Sequence, residues 1–68
     1  MNEMIFLVEE APEGGFIAHA LGASIFTEAN DLAELRAQIR DAVGCHFEED
    51  QEPKVIRLHF VREEVLAV

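Results

Sequence analysis

The apolar positions of this chain fall into three periods. Met4-Ile5-Phe6-Leu7-Val8 is an unbroken apolar run of strand formers, which reads as a strand covered on both faces. Residues 16–21 read as a second strand. Between the two, Ala11-Pro12-Glu13-Gly14-Gly15 reads as a turn: Pro12 presets φ at an early turn position and the glycines accept positive φ. Two strands joined by so few residues make an antiparallel hairpin. Gly22 ends strand two, and residues 23–27 are expected to form a short third strand.

The period then changes. Leu32, Leu35, Ile39, Ala42 and Val43, with His46, follow helical spacing along one stripe. Asp31 is a good N-cap, and Glu34 three residues on completes a capping-box pattern. The spacing predicts a helix over 32–48, weakened locally at Gly44 by about 1 kcal/mol relative to Ala. Residues 48–53 are polar, end at Pro53 and read as a loop. Across 54–62 the period becomes two, with Ile56, Leu58 and Phe60 alternating with Arg57, His59 and Val61. The first set is expected to face the helix and the second to face away. Residues 63–68 read three ways: an extension of this strand, a further strand, or a segment swapped onto a neighbour.

The expected fold is therefore α+β, an antiparallel-rich β-β-β-α-β sheet with one helix on one face, in a single domain over 1–68. One helix covers one sheet face. Strand one is nevertheless apolar on both, with Ile5 and Leu7 on one side and Met4, Phe6 and Val8 on the other. Uncovered apolar surface of that kind marks a protein interface. Length points the same way, since chains below roughly 70–80 residues usually need a disulfide, a metal or a partner subunit. This one has 68 residues and a single cysteine, Cys45, so an intrachain disulfide is excluded. A homo-oligomer, a dimer or larger, or a tight complex with a partner is the main physical expectation.

The formal net charge of −9 repels phosphates, which argues against direct binding of nucleic acid or an anionic membrane and suits a basic protein partner. No apolar run approaches the roughly 18–20 residues of a membrane span. Asn2 and Glu3 stand where a signal peptide needs basic residues, so the expected compartment is the cytoplasm.

Candidate chemistry is sparse. Glu9, Glu10 and Glu13 lack the alternating spacing of a calcium loop. Gly14-Gly15 lacks the further residues of a phosphate loop. Both fit solvated turn residues. Cys45 and His46 are adjacent and diverge by about 100° on a helix. With His19 and His59 they form no metal-ligand pair. His46 suits a structural role at the negative helix end, and Cys45 has no visible base or oxyanion site. No catalytic, metal or cofactor site is expected, and the chain reads as non-enzymatic. One patch remains. If Ile17, His19 and Leu21 point the same way as Arg57, His59 and Val61, the six share the open sheet face. They are then either half-buried strand residues or a patch inside a partner or dimer interface. A small enzyme or metal protein using the histidines is the weakest alternative.

On these residues the chain resembles a known family. The Gly14-Gly15-Phe16-Ile17-Ala18 core of the hairpin, followed by Thr27, the capped helix start at Asp31, Leu32 and Glu34, and Ala42, is similar to the HicB-type antitoxins in order and spacing over roughly residues 4–61. The resemblance implies a partial RNase H-like β-β-β-α-β domain that forms dimers or larger oligomers and masks a small basic RNA-cleaving toxin. It also implies, for full-length members, a C-terminal DNA-binding segment, for which 68 residues leave no room. The family's Pro-x-Leu-Pro-Gly-Cys loop is replaced by residues 21–26, one residue shorter, so that loop's toxin contacts do not carry over. The expectation is a short, solitary HicB-like domain of a toxin–antitoxin system. The alternative is a stand-alone structural or regulatory oligomer with no toxin partner.

Overall fold

The computed structural model describes residues 2–68. It contains β1 (Glu3–Glu10), β2 (Phe16–Ala20), β3 (Phe26–Ala29), the helix α1 (Leu32–His46), a single 3-10 turn at Glu49–Gln51, and β4 (Val55–Val61). The sheet order is β3-β2-β1-β4. β1 pairs antiparallel with β2 and parallel with β4, and β2 pairs antiparallel with β3. The expected α+β architecture is present as a mixed, open four-stranded sheet with one helix on one face.

The alternation of β1 explains the layering. Met4, Phe6 and Val8 are buried beneath the helix, where they meet Ala18 and Ala20 of β2 and Leu35, Ile39 and Val43 of α1. Each large side chain fully buried here contributes about 1.5–3 kcal/mol. Phe6 and Leu35, both 0% exposed, form the centre of this core. The helix packs mainly over β3 and β2. Ile56 and Leu58 of β4 are therefore half-buried at the edge of the core, and Phe60, on the same face, is 51% exposed.

The hairpin turn closes through Gly14 N–H to Ala11 O and Ala11 N–H to Gly15 O, both at 3.0 Å. Gly14 and Gly15 both take positive φ, at 103° and 81°, as the turn reading required.

Five local expectations are corrected. The third strand starts at Phe26 and runs to Ala29, not over 23–27. Gly22 has a φ of 85°, and Ala20 N–H donates to Ile25 O at 3.0 Å. Together they loop out residues 21–24, so pairing resumes only at Phe26 opposite His19. Ile25 still contributes to the core, from the loop.

The helix ends at His46 rather than 48, because Phe47 is extended and its N–H caps Val43 O at 3.2 Å. His46 accordingly does not join the buried stripe. It is exposed, with its ring edge-on to Phe47 at 4.8 Å. Part of the polar loop before Pro53 is the 3-10 turn, not irregular chain.

The capping box is displaced by one residue. Asp31 Oδ1 accepts from Glu34 N–H at 2.8 Å, while Glu34 Oε2 reaches the N–H of Asn30 at 3.4 Å instead of that of Asp31.

Candidate functional site

Register places the second sheet face. Leu7 pairs with His19 and with His59, and His19 pairs with Phe26. Cross-strand partners share a face, so Phe26, His19, Leu7 and His59 form one row across all four strands. A second row runs Glu28, Ile17, Glu9, Val61. Ile5 pairs with Arg57, and Leu21 N–H donates to Ile5 O at 2.9 Å, which sets Leu21 beside Ile5 on the same side. All six residues singled out from the sequence thus lie on the face away from the helix. They form two groups, Ile17, His19 and Leu21 on one flank and Arg57, His59 and Val61 on the other, with Ile5, Leu7 and Glu9 of β1 between them.

The face is apolar at its centre and charged at its margin. Ile5, Leu7 and Ile17 are half-buried, while Phe26 is 62% and Leu21 48% exposed. Glu3, Glu9 and Glu28 stand at the rim. Arg57 Nε donates to Glu3 Oε1 in an exposed ion pair. That hydrogen bond, and secondarily the Arg57 charge, holds the Glu3 carboxyl below the usual carboxylate range, and the same contact raises Arg57. Both partners are solvent-exposed, so the pair sets local geometry more than stability.

The chemistry this face can perform is limited by spacing. His19 and His59 lie two strands apart, about 10 Å between backbones, with Leu7 between them. A general acid–base pair needs hydrogen-bond reach to its substrate and to its orienting partner. Among the described residues neither imidazole takes part in a side-chain hydrogen bond. No cluster of three or more His, Cys, Asp or Glu side chains among the described residues is placed to hold a metal ion. Among the described residues no helix is long and apolar enough to cross a membrane. The arrangement presents a broad surface with two imidazoles flanking an aliphatic centre.

Two residues of this face, Phe26 and Leu7, were not singled out from the sequence as site residues. Leu7 was legible by strand parity, on the same side of β1 as Ile5. Phe26 was hidden by the displaced third strand, whose true register turns its ring away from the core.

Comparison with known proteins yields relatives of the same size. Over 67 residues the chain is 39% identical to a UPF0150 protein of Thermotoga maritima, a match spanning 98% of this chain and 94% of the relative. A UPF0150 protein of Archaeoglobus fulgidus is 56% identical over 55 residues, 81% of this chain and 82% of the relative. The chain belongs to the UPF0150 family. No protein-family model and no solved structure matches it. The UPF0150 relatives' names state no activity, so a functional reading rests on the surface itself.

Proposed function

We propose that this UPF0150 protein is a non-enzymatic, oligomeric binding module of the HicB-antitoxin type, whose open sheet face docks a small basic protein. The observation that carries the reading is an uncovered apolar sheet face, rimmed by Glu3, Glu9 and Glu28, on a chain of net charge −9. Exposed apolar surface bordered by polar groups is typical of protein interfaces. The acidic rim selects a partner of opposite charge and speeds its approach. Phe26 and Leu21 supply anchor side chains, and His19 and His59 add hydrogen-bonding capacity around Leu7. The hairpin-helix order shared with HicB-type antitoxins supports the toxin-masking form of this reading.

The test is co-expression with the small basic reading frames neighbouring the gene, followed by affinity capture at moderate salt. A co-purifying basic protein whose capture is lost in Phe26→Asp supports the proposal. Failure of every such frame to bind, or capture unaffected by Phe26→Asp, overturns the docking role and leaves a self-associating protein without a toxin.

A further inference from the structure

Two features lie outside the open face. The first is the outer edge of β4, which among the described residues pairs only with β1 and ends the sheet. It is seven residues long and has no proline within it. An unprotected edge of this length is a template for another strand. The second is the segment 62–68. It forms no regular element and is exposed throughout, with Val65 84% and Leu66 78% exposed. It contributes to an elongated outline of 52 × 20 × 17 Å and a radius of gyration of 13.4 Å, against about 11 Å for a compact chain of this length.

We infer that residues 63–68 add as an antiparallel strand to the free β4 edge of a second copy of this chain, reciprocally, about a two-fold axis near Arg62. The inference rests on the oligomeric reading above, but it uses a different surface.

Three observations select a second copy. The segment matches the edge in length and pattern. A strand's period of two, continued past Val61, puts Leu66 and Val68 on the face of Ile56, Leu58 and Phe60. With the axis at Arg62, antiparallel pairing sets Leu66 opposite the partner copy's equivalent of Leu58, and Val68 opposite the equivalent of Ile56.

Those positions need cover. Ile56 and Leu58, with Ile39, line a groove of about 240 Å³ between β4 and α1. Arg36 and Arg40 also line this groove, two of the chain's five Lys and Arg residues. In the same register Glu64 of the incoming segment falls on this face, so its charge complements the two arginines.

Folding back onto its own β4 is disfavoured. A two-residue hairpin at Glu63-Glu64 would need positive φ, which Gly, Asn or Asp supply and Glu does not. Glu63 also starts its course beside Glu9 and Glu10, whose like charge pushes the segment outward.

The test uses the full chain. Light scattering of the unaltered protein is expected to give twice the 7.6 kDa chain mass. Leu66→Asp combined with Val68→Asp should yield a monomer with an unchanged far-UV spectrum, since both side chains are exposed in the single chain. In a Cys45→Ser background, His59→Cys with Val65→Cys should form a covalent dimer on mild oxidation. Six residues apart on one extended strand, these positions are about 20 Å from each other, so they meet only between copies. A monomeric unaltered protein overturns this inference together with the oligomeric reading. An oligomer that survives the aspartates and fails to cross-link overturns this inference alone. Should the aspartate variant not fold, the cross-link decides.

Discussion

His19 and His59 face each other across Leu7, one strand to either side, in a row that begins at Phe26. The row converts scattered strand residues into one surface, and Phe26 is its most accessible anchor. Phe26→Ala should change stability by less than about 0.5 kcal/mol, as exposed positions do. It should weaken partner binding by about 2 kcal/mol, roughly thirty-fold. Thermal melts alongside titration calorimetry with the captured partner separate the two effects.

The two hairpin glycines are not equivalent. A Cβ on Gly15 would lie 2.5 Å from the carbonyl oxygen of Ala29, whereas a Cβ on Gly14 meets nothing within 4 Å. Gly14→Ala should cost about 1–2 kcal/mol from left-handed backbone strain alone. Gly15→Ala should cost more and loosen the pairing of Phe16 with Ala29. Urea midpoints of the two variants, compared side by side, check the order.

Thr27 shows an imperfection in the core. Its hydroxyl is buried without a hydrogen-bond partner among the described residues, opposite the fully buried Ala18. Thr27→Val keeps the shape and removes the unpaired group, so stability should rise by about 1–3 kcal/mol. Chemical denaturation measures this directly.

Phe6→Ala tests the opposite case. Removing a ring that is 0% exposed should cost about 3–5 kcal/mol. That approaches everything a core in a domain of this size supplies, so the variant should be largely unfolded by circular dichroism at room temperature.

The Glu3–Arg57 pair gives a pH signature. The folded carboxyl titrates below its unfolded value, so the small contribution of the pair is present above the unfolded value and is lost as pH falls through the folded one. Carbon-detected NMR should follow the Glu3 carboxyl titrating below an ordinary glutamate. Arg57→Gln should return it to the ordinary range, and high salt should narrow the difference.

Most of the fold was legible because its main signals are local. The apolar run of β1, the alternation in β4, the Pro12–Gly15 turn and the Asp31 cap each specify their own element. What was not legible depended on tertiary contacts. The bond from Ala20 N–H to Ile25 O fixes where β3 resumes, and no periodicity in residues 21–26 encodes it. His46 reads as a stripe residue until Phe47 leaves the helix and takes the capping role. The six open-face residues were legible by parity alone. Their division by β1 was not, because pairing β4 with β1 in parallel is a choice made by the whole chain.

That parallel pairing also dictates an order of events. The partner of Met4 is Ile56, so the most apolar strand is synthesised well before β4 and waits for it before its second flank is closed. During that interval the hairpin and helix can assemble, but one edge of β1 stands open and greasy. Long-range strand pairing is intrinsically slow, and an unpaired apolar edge invites intermolecular capture. The yield of soluble protein should therefore depend on how quickly synthesis delivers residues 55–61, a vulnerability in time that the finished fold conceals.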